Sequence, residues 1–570
     1  MKKITLIVLL FAAFQMNAQT IVQTTPQNKK VILEEFTGVN CVWCPAGHTI
    51  ANAIKASNPS NVFLINIHVG GFATPSASQP DFRTPFGTAI ANQSGLTGYP
   101  AGTVNRTVFP GSAQNGATGT AMSRNFWTGA SDQILAQSSY VNVATTATIN
   151  ATTRLLTVLV EAYYTGASPV TSNNLNVAFL QNNTTGPQTG GNQGNNYNHQ
   201  HRLIHMLTGQ WGEVINTTSA GTFVTRTYTY TIPAAYNSII AEMGQFEIVA
   251  FMAEGQQKII SGNGATPTYT GLAANDVKLK QVESIENQCA SSISPKIQIQ
   301  NYGLNTLTTL PITYSINGGT PQVYNWTGNL VSLAKETVTL PAITYNLLNS
   351  NTLNVSVPAD ANVSDNSGSV TFAKAALTTN TNITVKITLD RYGDETSWQL
   401  LNSSNTPVAT SPTYFDAGAS GEYPQPDINL TLPFDCYKFV INDAYGDGMD
   451  SGYGVGSYQV LANGVLIPGI EGGSFGSSES RVFQVANILS VEDFNANEII
   501  LYPNPSNGIF TINTKLPTDV IAIDVTGKEV FRILNVNNQT NLNLTQLQKG
   551  LYLLKLSNEL GEQTKKIIIE

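Results

Sequence analysis

The sequence predicts a multidomain, mainly β protein with one α/β unit near its N-terminus. Three observations point there. A chain of 570 residues is longer than one core organises, so several domains follow from length alone. Only 11% of residues are Asp, Glu, Lys or Arg, against roughly 25% in ordinary globular domains. Asn, Thr, Ser and Gly take their place, and these side chains suit exposed strand faces and turns better than helices.

A net charge of -8 without a basic patch argues against nucleic acid as a partner. The N-terminus runs Met1-Lys2-Lys3, an apolar stretch from Ile4 to Phe14, then Gln15-Met16-Asn17-Ala18. This reads as a secretory signal peptide over residues 1–18, cleaved after Ala18. Its apolar stretch is shorter than the roughly 20 residues that a spanning helix needs. Export implies an oxidising compartment, where cysteines tend to pair. Cys41 and Cys44, within Cys41-Val42-Trp43-Cys44, are expected to form a disulfide. Whether Cys289 and Cys436 meet stays open, since they fall in different expected domains.

Residues 29–36 read as a buried strand, and Thr37-Gly38-Val39-Asn40 turns the chain into Cys41. Pro45 follows the second cysteine, Ala46 to Ala56 has helical spacing, and residues 61–69 read as a second buried strand. Strand, CxxC, helix and parallel strand open a thioredoxin-like βαβ unit, expected over residues 25–140. Gly98-Tyr99-Pro100 puts a proline just before a strand, where such a fold holds a cis-proline loop facing the CxxC.

The candidate redox site is therefore Cys41, Cys44 and Pro100. Cys41 stands at a helix N-terminus, where backbone N–H groups and the helix dipole stabilise a thiolate. Cys44 is the resolving thiol, and Pro100 positions a substrate peptide. The competing reading is a structural disulfide on a scaffold that only binds. Redox cycling needs an electron donor or acceptor to reset it, and an exported chain has no obvious one. Thioredoxins also carry Trp before the first cysteine, where this chain has Gly38-Val39-Asn40. His199, His201 and His205, with His48 and His68 elsewhere, have spacings that could share a face, but no acidic or cysteine partner is near in sequence.

Alternating strands with Gly- and Asn-rich turns predict a β-sandwich extension over residues 141–286. Residues 290–374 read as an Ig-like β-sandwich, with strands near Lys296–Asn301, Ile312–Ile316, Thr337–Leu340 and Leu353–Val357. A further β-sandwich module follows over residues 378–486. Within it, Asp390-Arg391-Tyr392-Gly393-Asp394 and Asp443-Ala444-Tyr445-Gly446-Asp447 repeat one frame, each at a strand exit. Carboxylates on glycine-bent loops are what calcium requires, so Asp390, Asp394, Asp443, Asp447 and Asp450 form a candidate calcium set. It is no EF-hand, because Tyr445 and Gly454 stand where that loop needs carboxylates or amides. The competing reading is that these Asp and Gly residues only close tight turns. Tyr392, Trp398, Tyr445 and Tyr453 are candidate sugar-stacking aromatics.

Two resemblances complete the reading. Leu33 to Pro45, the Gly98-Tyr99-Pro100 loop with Asn105-Arg106, and Tyr197 to Arg202 resemble, in that order, the outer-membrane-protein-28-related family over residues 25–285. The resemblance implies a thioredoxin-like part joined to a β part, without an established substrate. Tyr502-Pro503-Asn504-Pro505, Asp524-Val525-Thr526-Gly527-Lys528, Lys549 to Lys555 and the basic end at Lys565-Lys566 closely resemble the type A C-terminal sorting domain of the type IX secretion system, over residues 498–570. This implies passage through the periplasm, recognition by the outer-membrane translocon, then release or attachment to surface lipopolysaccharide. The expected function is a secreted or cell-surface binding or adhesive protein on a thioredoxin-like scaffold. The alternative is an extracytoplasmic thiol–disulfide oxidoreductase using Cys41 and Cys44.

Overall fold

The structure, a computed structural model, describes residues 20–76, 79–116, 118–191, 193–450, 452–487, 499–558 and 561–570. The expected signal peptide lies outside the described residues. The chain forms two compact units, bounded Met1–Val485 and Ala486–Glu570. Strands dominate both, and no helix among the described residues is long and apolar enough to cross a membrane.

Strand β1 (Val31–Thr37) is buried along its whole length because both of its faces are covered. Val31 and Leu33 pack under helices α1 (Cys44–Ser57) and α3 (Trp127–Leu135), while Ile32 and Phe36 pack under α2 (Gly87–Ser94). β1 pairs in parallel with β2 (Val62–His68), from Val31 opposite Val62 to Thr37 opposite His68. A parallel pair needs a crossover, and α1 supplies it. On its other edge β1 pairs antiparallel with β3 (Ala101–Val104).

This sheet continues through Arg202–Met206, Asn173–Gln181, Phe246–Glu254 and Gln257–Ala265. One sheet thus takes strands from both sides of residue 140. Side chains alternate along Asn173–Gln181, as a strand requires. Ala178 and Leu180 face the α2 side, while Leu175, Val177 and Phe179 face a second core. That second core is shared with a four-stranded sheet of Val141–Asn150, Leu155–Tyr164, Phe223–Thr231 and Thr268–Thr270.

Two further pairs of sheets follow in the first unit. Val277–Val282, Lys296–Asn301 and Lys335–Thr339 enclose one core with Leu307–Ile316, Gln322–Leu330, Ser350–Ser356 and Ser367–Ala373. Between Ala376 and Val485, two five-stranded sheets enclose another around Trp398, Tyr437, Phe439 and Tyr458.

The second unit is one five-stranded sheet. Its sequence motifs have visible structural jobs. Asn504 donates to the Lys566 carbonyl at 2.8 Å and accepts from the Ile568 N–H at 2.9 Å, so the Pro-rich opening is fastened to the last strand. Asp524 Oδ1 accepts from Thr526 N–H (2.9 Å) and Lys528 N–H (3.0 Å), closing the turn that Gly527 completes at φ +87°.

Candidate functional site

A tight turn brings the two CxxC cysteines together. The Cys41 N–H donates to the Gly38 carbonyl (3.1 Å) and the Cys44 N–H to the Cys41 carbonyl (3.2 Å). Cys41 and Cys44 are joined by a disulfide, and Cys44 opens α1 with Pro45 in its first turn. The sulfur-bearing residues are inaccessible, Cys41 at 2% and Cys44 at 0% exposure, while Val42 and Trp43 between them project outward.

A strap formed by residues 187–191 is fastened to the backbone of the CxxC loop. Gln188 Nε2 donates to the carbonyls of Gly38 (3.1 Å) and Cys41 (3.0 Å), and the Thr189 N–H donates to the Val39 carbonyl (2.7 Å). Gly190, at φ +78°, lies so close to the Val42 carbonyl that a Cβ would collide with it. The sequence showed this stretch only as a Gly- and Asn-rich turn.

Beneath the disulfide, Gly47 lets α1 approach Pro100 and Glu35. A Cβ at Gly47 would stand 3.1 Å from Pro100 Cβ and 2.7 Å from Glu35 Oε1. The Tyr99–Pro100 bond is cis. Both Glu35 carboxylate oxygens are buried without a hydrogen-bond partner, and burial pushes this carboxyl well above the usual range. His48 Nε2 lies 3.8 Å from Glu35 Oε1 and 2.9 Å from Thr37 Oγ1, and its Nδ1 is 2.6 Å from the Tyr197 hydroxyl.

Among the described residues, no histidine falls in a group of three side chains able to hold a metal ion. Burial pushes His48 down to about 4 and His199 down to about 3, so both are neutral near pH 7. His201 pairs with Glu247 (2.7 Å), and His205 stacks on Tyr230.

Among the described residues, the group able to hold a metal ion is Glu395, Asp443 and Asp447, with ligand atoms all within 4.8 Å of one another. Thr396 pairs with Asp443 across adjacent strands, which sets Glu395 beside the exit of Asp435–Asp443. Asp443 Oδ1 accepts from the N–H groups of Gly446 and Asp447. Burial and the neighbouring carboxylates push Glu395 up to about 8. Burial, opposed by the Gly446 N–H and reinforced by Asp447, pushes Asp443 up to about 7.

Of the five aspartates singled out from sequence, only Asp443 and Asp447 belong to this group. Asp390 is buried and accepts from the Tyr392 N–H (2.9 Å), capping its own turn. Asp394 is turned to Asp416, whose hydrogen bond raises its carboxyl, and Asp450 is exposed. Glu395 is the member that sequence reading missed. It directly follows Asp394 in the first repeat, outside the repeated frame. Trp398 is not a surface aromatic: it is 2% exposed and donates from Nε1 to the Tyr414 hydroxyl (3.0 Å). A Trp at that strand position alternates inward with Leu400.

The disulfide strap and the acidic group meet at one cavity of about 460 Å³. Val42, Gln188 and Thr189 line one side, and Glu395, Asp443 and Tyr445 the other. Thr189 Oγ1 donates to the Tyr445 carbonyl at 2.9 Å across the contact. A second disulfide, Cys289–Cys436, spans 147 residues and answers the pairing that sequence left open. Close by in sequence, Lys438 pairs with Glu286 at 2.7 Å.

Residues 88–264 match the family described as outer membrane protein Omp28. The match is narrower than the expected 25–285 and does not include Cys41 or Cys44. Residues 500–570 match the secretion system C-terminal sorting domain. Together these indicate export to the cell surface or outer membrane, or secretion, and the tail implies interaction with the type IX secretion machinery. No curated protein matches the chain. Among solved structures, HBP35 of Porphyromonas gingivalis is similar at 16% identity and TM-score 0.33, covering 61% of this chain and 99% of that one. A domain of the outer membrane lipoprotein Omp28 from Porphyromonas gingivalis is similar at 19% identity and TM-score 0.17, covering 23% and 91%. Protein AGR_C_4864 from Agrobacterium tumefaciens is similar at 14% identity and TM-score 0.28, covering 42% and 94%. At such identity and overlap, no activity transfers from them.

Proposed function

We propose that this secreted or cell-surface protein is a binding protein whose N-terminal part is a thioredoxin-like scaffold, stapled by Cys41–Cys44 rather than worked by it. The observation that carries the reading is the 2% exposure of Cys41 beneath the Gln188–Gly190 strap. Thiol–disulfide exchange requires in-line access to a sulfur, and a nucleophilic cysteine is ordinarily partly exposed. Residues 290–374 then serve as an Ig-like spacer and residues 378–486 as a β module docked on the scaffold. Attachment to surface lipopolysaccharide, rather than release, fits an adhesive role.

A second reading, an extracytoplasmic thiol–disulfide oxidoreductase, is favoured by Glu35. An unpartnered buried carboxyl under Gly47 and Pro100 is an expensive feature for a purely structural unit. The two are separated by turnover on a disulfide-bonded substrate, with Cys41→Ser as control. The binding reading expects no turnover above that control. Turnover that disappears in Cys41→Ser overturns it.

A further inference from the structure

We propose that the strand pair Thr184–Gly186 and Tyr197–His199 is an acid-released flap, closed over a cluster of buried histidines and opened when that cluster takes up protons. Thr184 pairs with His199 and Gly186 with Tyr197. The His199 ring sits 5.3 Å from that of His68 on β2, and Phe82 lies against both, at 5.1 Å from His68 and 4.7 Å from His199. Tyr197 reaches His48 Nδ1 on α1 at 2.6 Å. His48, His68 and His199 are each at most 5% exposed.

The closed cluster has no place for an added proton. A carbonyl only accepts, so the 3.1 Å contact between His199 Nε2 and the Pro187 carbonyl puts the ring proton on Nε2 and leaves Nδ1 bare. That Nδ1 is buried without a partner, and so are both ring nitrogens of His68. Protonating either ring in place makes a buried, charged N–H with no acceptor. The neighbours add to the cost. Arg202 is 1% exposed, lies 5.1 Å over the Phe82 ring, and has no partner for its Nε and Nη2. Tyr197 and Tyr236, the latter beside Arg202, are held protonated by burial. From β1, Glu35 lies 3.8 Å from His48, but its burial keeps it protonated too. Two further pairs are already satisfied, His201 with Glu247 at 2.7 Å and Asp81 with Arg83 at 2.9 Å.

Opening removes this restraint. Once wet, each ring titrates near 6.5, so below that pH the open state binds more protons than the closed one. Each such proton raises the open population by about tenfold per pH unit. Glu35 works in the opposite sense where opening wets it, since it then gives up a proton, but His68 and His199 together outweigh it. The flap is otherwise lightly held. Its strands pair over three residues, and among its described residues Tyr197 is the large apolar side chain it buries. Short pairing and little buried apolar surface mark segments that open locally.

The strap follows directly from the first flap strand, and Gln188 and Thr189 form one wall of the cavity facing Tyr445. Opening dismantles that wall, so acid releases whatever the cavity holds; this consequence rests on the binding reading, whereas the flap itself does not.

The test is hydrogen–deuterium exchange of the intact exported chain, read by mass spectrometry, with each rate divided by its intrinsic rate at that pH. Between about pH 7 and pH 4.5, protection of residues 184–191 and 193–199 should fall by at least about tenfold. The neighbouring strand Asn173–Gln181 should keep its protection over the same range. Protection that stays constant in the flap, or falls equally throughout the first unit, overturns the proposal, and this series needs no variant. His199→Gln keeps a donor for the Pro187 carbonyl and cannot be charged, and His68→Gln removes the facing ring. In each variant that shows the parent's exchange pattern at pH 7, the fall should shrink several-fold. An undiminished fall in both would mean that other groups drive the opening. Turnover on a disulfide substrate would defeat the binding reading and leave the flap standing.

Discussion

Arg106 and Glu34 form a two-point ion pair inside the first unit, with Arg106 Nε donating to Glu34 Oε2 at 2.7 Å and Nη2 to Oε1 at 2.5 Å. Both side chains are at most 2% exposed. Arg106 also donates to the Gln256 carbonyl (3.1 Å) and lies over the rings of Trp211 and Phe251. The pair joins β1 to the chain leaving β3, and so holds Pro100 and the CxxC strand in one frame. Removing one partner strands the other as a buried charge. Glu34→Ala or Arg106→Ala should cost about 3–5 kcal/mol, read as a lower denaturant midpoint. A change below about 1 kcal/mol would deny the pair this role.

The Cys289–Cys436 bridge should matter for a different reason. It closes a loop of 147 residues and so restricts the unfolded chain. Replacing both cysteines with serine should destabilise the first unit by roughly 2–5 kcal/mol. Thermal melting of the double variant beside the parent checks this.

Stability should fall as pH drops. His48 and His199 are held neutral by burial, down to about 4 and about 3, and His68 is lowered in the same way. Unfolded, each takes a proton near 6.5. Between these values the unfolded state binds more protons, so stability present above pH 6.5 is lost as pH falls toward 3. Glu247 acts in the same sense: burial raises its carboxyl, but His201 outweighs this and brings it to about 2, so its contribution fades below pH 4.5. Glu35 acts oppositely, being raised, and favours the folded state at low pH. His48→Gln should flatten the decline in melting temperature between pH 6.5 and 4.

The βαβ opening was legible because it is local. The strand expected at 29–36 is Val31–Thr37, the helix expected at Ala46 to Ala56 is Cys44–Ser57, and the strand expected at 61–69 is Val62–His68. Each carries its own period and punctuation. The site was less legible because its contacts join distant segments. Gln188 meets Cys41 across 147 positions, and Thr189 meets Tyr445 across 256. No periodicity marks such pairs. Glu395 escaped notice because a repeated frame drew attention to Asp394, whereas strand pairing with Asp443 selects its neighbour.

The strap should open when its closest approach is blocked. Gly190→Ala forces a left-handed residue, at about 1–2 kcal/mol, and places a Cβ 2.2 Å from the Val42 carbonyl, so the strap must shift. The fold survives such a local cost, but Cys41–Cys44 should become reducible by dithiothreitol several-fold faster. An unchanged rate would mean that Gly190 does not guard the disulfide.

The most direct test of the account is export itself. A chain ending at Val485, which keeps the first unit whole and lacks the sorting tail, should accumulate in the periplasm while the full-length chain appears at the cell surface or in the medium. If the truncated chain reached the cell exterior as efficiently as the intact one, the tail would not be its address, and a surface binding role would lose its foundation.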